Sequence, residues 1–128
     1  MYEVIIREEF SSAHALRHYY GSTEPMHGHN FVVEVVVQGK TLQNKVKYLT
    51  DFVALQNTLR SIVKPMDHVN LNEFPPFDVE NPSAENIANY IGTEIGRRWQ
   101  EKDVRLASVT VWETSATGAR YIPDQAEL

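Results

Sequence analysis

The run Phe31-Val-Val-Glu-Val-Val-Val37 allows the chain little choice of conformation. β-Branched side chains are stiff at χ1 and pack well on a pleated surface, so residues 31 to 38 read as a strand with Glu34 as its one charge. His27, Gly28, His29 and Asn30 lead directly into it. If strand geometry extends back through them, side chains alternate faces and both imidazoles leave the same one. Upstream, Phe10-Ser-Ser-Ala-His14 places a third imidazole at the end of another strand. Three convergent neutral histidines with an open position make a ligand set for catalytic zinc, although the same imidazoles take other divalent ions. His-x-His also has a plainer reading, as two solvated or hydrogen-bonded surface histidines. Gly28 weighs toward the metal, because a glycine permits the close approach that a bulge or a metal site requires.

Around this stretch the period of the apolar residues assigns the other elements. Tyr2, Val4, Ile6 and Phe10 share one parity in residues 2 to 10, a half-buried strand that Ile5 breaks and in which Glu8 falls on the apolar side. Residues 15 to 25 read as a loop and 39 to 47 as a turn. The period then changes: Phe52, Leu55, Leu59, Ile62 and Val63 recur at helical steps, Asp51 stands at the N-cap and Pro65 ends a helix over 52 to 64. Residues 66 to 79 are irregular and long enough for a functional loop. A second helix starts near Asn81-Pro82-Ser83, with Pro82 at an early position, and buries Ala84, Ile87, Ala88, Ile91, Ile95 and Trp99. Strands over 104 to 113 and 119 to 122 close the chain. The order ββααββ with local hairpins predicts an α+β fold, a four-stranded antiparallel sheet with two helices on one face.

With 128 residues, 42% of them hydrophobic and 23% charged, the chain reads as a single globular domain spanning 1 to 128. It shows no apolar run of the roughly 20 residues that span a bilayer, and its start lacks the basic and apolar character of a signal peptide. A cytoplasmic location is the default expectation. There is no cysteine, which removes disulfides, thiolate ligands and thiol nucleophiles together. A net charge of −5 with scattered Lys and Arg argues against a nucleic-acid partner.

Three further positions have chemical and plain readings side by side. Asp67-His68 is either a cap beside a solvated imidazole or a carboxylate orienting a proton relay. Glu113 is either an exposed strand-end carboxylate or an enclosed one that meets a donor-rich ligand edge. Glu24, three residues before His27, is a loop glutamate or a general base near the metal. Among Arg17, Lys64 and Arg120 nothing selects an anion-binding side chain.

Taken together, Phe10-Ser-Ser-Ala-His14, His27-Gly-His29-Asn-Phe, Thr50-Asp51-Phe52, Met66-Asp67-His68-Val-Asn-Leu-Asn, Asn81-Pro82-Ser83-Ala-Glu85-Asn86 and Val111-Trp112-Glu113-Thr114 resemble the 6-pyruvoyltetrahydropterin synthase family over nearly the whole chain. The resemblance implies the tunnelling fold and a homo-oligomer, a trimer or a stacked hexamer, with active sites between subunits. It implies zinc on His14, His27 and His29, a pterin triphosphate substrate whose edge Glu113 anchors, and proton relay by Asp67 and His68.

One departure matters. The pyruvoyl- and carboxy-forming members carry a catalytic cysteine four residues before His-Gly-His, and here that position is Thr23, whose hydroxyl is a poor base at neutral pH. Glu24 follows at once. Glu-x-x-His-Gly-His looks like the folate-type branch, in which glutamate takes the cysteine's place and dihydroneopterin triphosphate is cleaved to 6-hydroxymethyl-7,8-dihydropterin. The alternatives are a 6-pyruvoyl- or 6-carboxytetrahydropterin synthase that tolerates Thr23, and a non-catalytic pterin- or zinc-binding oligomer.

Overall fold

The computed structural model describes residues 1–124. Strands β1 (Tyr2–His14) and β2 (His27–Gly39) precede helices α1 (Phe52–Val63) and α2 (Ala84–Arg98), and strands β3 (Val104–Trp112) and β4 (Gly118–Tyr121) follow. The four strands form one antiparallel sheet in the order β1-β2-β3-β4, with both helices packed on one face. This is the α+β arrangement expected from the periodicity.

β1 ends at His14, where the sequence places the third imidazole, although its apolar alternation runs only to Phe10. Ser11 and Ser12 are weak strand formers, but pairing outweighs propensity: Phe10 lies opposite Phe31, Ser12 opposite His29 and His14 opposite His27. On its other side this end of β1 is held by the loop after α1. The Ala13 amide donates to the Val69 carbonyl at 3.0 Å and the His68 amide to the Ser11 carbonyl at 2.6 Å, and the Ser12 hydroxyl donates to the Met66 carbonyl.

The inward parity of β1 buries Val4, Ile6, Phe10, Ser12 and His14 under the helices. Glu8 shares that parity and is tolerated because Arg60 of α1 reaches its carboxylate at 2.6 Å. Tyr2, at the strand end, is half exposed despite its parity. Val33 and Val35 of β2 and Val109 and Val111 of β3 continue the core against Leu55, Leu59, Ile62, Ile87, Ile91 and Ile95.

Asp51 caps α1 as expected, its carboxylate accepting from the Val53 amide at 2.8 Å. Phe52 departs from expectation at 60% exposed, because it is the first helical residue and nothing covers the stripe at that end. Around Pro65 the helix tightens into the 3₁₀ turn Lys64–Met66, and a second such turn spans Leu71–Glu73. In α2 the N-cap is Ser83, which accepts from the Asn86 amide at 3.1 Å. Pro82 therefore lies outside the helix and not in its first turn. Trp99 caps the other end and is only partly buried. α2 crosses β4 closely at Gly92, where an added Cβ would stand 2.8 Å from the Tyr121 ring. Among the described residues no helix is long and apolar enough to cross a membrane.

Candidate metal centre and active site

Strand register brings the three histidines together. His14 and His27 are directly paired across β1 and β2, and His29, two residues along, leaves the same face. One nitrogen of each ring lies within 4.8 Å of the others. Phe31 forms the floor, stacked on Phe10 with ring centroids 5.0 Å apart, while the His14 and His29 rings meet it edgewise at 5.4 and 5.3 Å.

Hydrogen bonds fix which nitrogens converge. His14 Nδ1 lies 2.8 Å from the Pro82 carbonyl and His27 Nδ1 lies 2.9 Å from the Pro25 carbonyl. A carbonyl only accepts, so each Nδ1 carries the proton and each neutral ring presents a lone pair at Nε2. Those two Nε2 atoms stand 3.1 Å apart, and His29 Nε2 is buried with no hydrogen-bond partner. Lone pairs aimed at one another and a buried orphan nitrogen are unfavourable unless a cation lies between them. The donor set fits a borderline ion such as zinc, and the carbonyls that orient the rings are the outer partners such sites use. Burial lowers the pKa of His29 below the usual histidine range, and the neighbouring His14 and His27 add to this while Glu113 opposes it. A metal ligand must be neutral, and the direction of this shift favours that form.

Gly28 has a different role from the one its position suggested. It pairs with Ala13 in an unbroken ladder, the irregularity of β2 lying instead between Val36 and Val37, and a Cβ at residue 28 would make an ordinary 3.6 Å contact with the Ser12 carbonyl. The sheet does not require glycine there. Gly28 lines a cleft of about 520 Å³ whose wall also carries His29, Asn30, His68 and Asn70.

That cleft joins the metal cluster to the Asp67-His68 pair. Asp67 accepts from the Ser11 amide at 2.8 Å and lies 2.8 Å from His68 Nδ1. The amide, followed by the imidazole, holds the Asp67 carboxyl below its usual range. Asp67 closes the 3₁₀ turn Lys64–Met66 through its backbone amide, while its carboxylate caps no helix N-terminus and orients an imidazole that is 81% exposed, on a backbone with φ of +58°.

Glu24 is fastened at two points. Its amide donates to the Leu16 carbonyl and its Oε1 accepts from the Leu16 amide, both at 3.0 Å, which sets Oε1 3.9 Å from His27 Nε2. Thr23 beside it is exposed. Glu113, just beyond β3, turns inward rather than to solvent. Its two oxygens stand 3.8 Å from His14 Nε2 and 3.9 Å from His29 Nε2.

Two asparagines in the quoted motifs had been assigned no role. Asn72 accepts from the Ala15 amide and donates to the Ala15 carbonyl, both at 2.8 Å, and Asn81 does the same for Arg17 at 2.7 and 2.8 Å. Each side chain imitates a neighbouring strand and carries the edge of β1 into the loop that bears Glu24. Arg17 itself donates to the carbonyls of Asn72, Phe77 and Glu80, so its guanidinium is a brace for this loop. Arg120 donates to the Thr110 hydroxyl at 2.8 Å.

The model of the family described as 6-pyruvoyl tetrahydropterin synthase matches residues 3–124. A dihydroneopterin monophosphate aldolase of Pyrococcus furiosus is 37% identical over 115 residues, covering 90% of this chain and 92% of its own. A 6-carboxy-5,6,7,8-tetrahydropterin synthase of Aquifex aeolicus is 28% identical over 119 residues, with 75% and 73% covered. Among solved structures, the 6-pyruvoyl tetrahydropterin synthase of Caenorhabditis elegans superposes with a TM-score of 0.82 at 24% identity, over 97% of this chain and 98% of that one. The fold is the tunnelling fold expected from the motifs, and the chain belongs to the 6-pyruvoyl tetrahydropterin synthase family.

Proposed function

We propose that this protein is a zinc-dependent aldolase of phosphorylated 7,8-dihydroneopterin, with 6-hydroxymethyl-7,8-dihydropterin as its product. The observation that carries the reading is Glu24, fastened to Leu16 with its carboxylate 3.9 Å from His27 Nε2, in a chain without cysteine. The relative named dihydroneopterin monophosphate aldolase supports the same reaction.

His14, His27 and His29 would hold the zinc, which supplies a Lewis acid for the oxygens of the substrate side chain. Glu24 takes the proton of the C2′ hydroxyl, and the electron pair left on that oxygen forms an aldehyde as the C1′–C2′ bond breaks. The pair from that bond moves into the C6=N5 imine of the pterin. Protonation of C1′ restores the imine and leaves a hydroxymethyl group. His68, oriented by Asp67, returns this proton, so one proton is removed and one is delivered. The remaining two-carbon fragment departs as an aldehyde that keeps the phosphate.

The number of phosphates follows from charge. Among the described residues, the two clefts that His29 and Glu113 line carry no Lys or Arg, and Arg17 is committed to carbonyls. A triphosphate, the substrate expected from the motifs, would find no cation in either of these two clefts, so we favour the monophosphate, the substrate in the name of the Pyrococcus furiosus relative. Incubating the zinc-loaded protein with the mono- and triphosphates and weighing the pterin product tests the reading. A hydroxymethyl pterin formed faster from the monophosphate is expected. A pyruvoyl or carboxy product would overturn it, and a pterin returned unchanged would leave a binding protein.

We further propose that copies join through their sheet edges. β1 and β4 are the two edges of the sheet, and the N-terminal half of β1 is outside the contacts made by the loop at residues 66–70. Closure of such edges between copies removes unpaired backbone groups and would present each exposed His68 to a neighbour. Sedimentation velocity should give a trimer or hexamer; a monomer at micromolar concentration would contradict it.

A further inference from the structure

We propose that Glu113 has two seats. In the substrate-free protein its carboxylate completes the coordination of the ion held by His14, His27 and His29, and it leaves for an adjoining recess when a pterin enters. The inference rests on the metal reading of the histidine cluster and not on the aldolase reaction.

The first seat follows from distance. A tetrahedral ion with bonds of about 2.0 to 2.1 Å holds its ligand atoms about 3.4 Å apart. Glu113 Oε1 is 3.8 Å from His14 Nε2 and Oε2 is 3.9 Å from His29 Nε2, close to that spacing. The carboxylate is 28% exposed and, among the described residues, accepts no hydrogen bond from a protein donor. A carboxylate withdrawn this far from water needs a positive partner. What faces it is a pair of imidazole nitrogens, one of which is the buried, unpartnered Nε2 of His29.

The second seat is a recess that the same residue lines. Its volume is about 240 Å³, and it lies between the start of α2 at residues 83–85 and residues 117–119, where the β3–β4 turn enters β4. A bidentate clasp of a cyclic guanidine edge, the role the motifs imply for Glu113, needs both carboxylate oxygens. That edge lies two fused rings away from the carbon that bears the pterin side chain. One carboxylate cannot press against the cluster and clasp that edge at once, so it must exchange between them. A resting ligand that departs on binding would keep water from the ion until substrate arrives.

Cobalt(II) in place of zinc tests this without turnover, because its visible bands report ligand number and type. The probe is unsubstituted pterin, which has the guanidine edge and no side chain to offer the ion, with its binding followed by its own fluorescence. In the wild type, pterin should shift the cobalt bands. Glu113→Gln should start with shifted bands that pterin does not move, and should bind cobalt at least the roughly 10-fold more weakly that loss of an outer-sphere partner alone costs. Glu113→Asp keeps the charge and shortens the reach, so it should resemble Glu113→Gln if the carboxylate ligates. If it resembles the wild type, only the field of the charge matters and the first seat is wrong. Pterin that binds the wild type without moving the bands, or fails to bind, removes the second seat. Failure to take up cobalt would overturn the metal reading itself.

Discussion

Glu24→Gln lowers turnover on phosphorylated dihydroneopterin by about 10²- to 10⁴-fold, the usual contribution of a positioned general base. The substitution is chosen for what it preserves. Oε1 of the amide can still accept from the Leu16 amide, so the loop keeps both of its ties. Zinc content, read by atomic absorption, should stay at the wild-type level because no histidine is touched, and KM should change little. The loss then falls on kcat, as expected for a group acting in the transition state. Glu24→Ala loses activity as well but also orphans the Leu16 amide, so its melting temperature should fall where that of Glu24→Gln does not. Wild-type kcat in Glu24→Gln would remove this residue from the mechanism.

The second large effect is on stability and differs in size with and without metal. In the metal-bound protein His29→Ala removes a ligand. It should forfeit most of the linkage stabilisation, which is about 4 kcal/mol for a site held at a thousand times its Kd. In metal-free protein the same substitution removes a buried nitrogen that has no partner, which offsets part of the ring packing lost against Phe31, so stability should fall much less. The pH dependence follows from the lowered pKa of His29. The unfolded chain takes up a proton near the ordinary histidine value of about 6.5, and the folded ring resists it. Folding therefore carries its full contribution from this group above that pH and loses it as pH falls toward the lower folded value. Denaturant titrations of chelator-treated wild type between pH 7.5 and about 5.5 should show falling stability, and His29→Ala should flatten that slope. An unaltered slope in the variant would mean that other groups set the acid limit.

Much of this site was legible in the sequence because its central feature is a parity. His27 and His29 share a face in any strand, and Phe10 to Phe31 pairing carries His14 opposite His27. The cap Asp51 was legible for a similar reason, since capping involves residues two or three apart. Among the readings that needed revision, those of Phe52 and Gly28 depend on packing by neighbours distant in the chain, and that of Pro82 on a local cap. Pro82 sits outside α2 because Ser83 takes the cap. Phe52 has the helical phase of a core residue, but phase does not say where the packed face ends. Gly28 suggests a bulge or a close approach, but the ladder there is unbroken and the Ser12 carbonyl leaves room for a Cβ.

Element types, their order and the face on which each histidine emerges were determined by the sequence alone, because 2- and 3.6-residue periods are properties of the local chain. The meeting of Glu24, Glu113 and the three histidines was decided only by tertiary structure. These residues span positions 14 to 113, and their convergence depends on the register of β1 on β2, the register of β3 on β2 and the two asparagine braces at Ala15 and Arg17. Register is set by packing a whole face of the sheet against the helices. No short window of sequence contains that information.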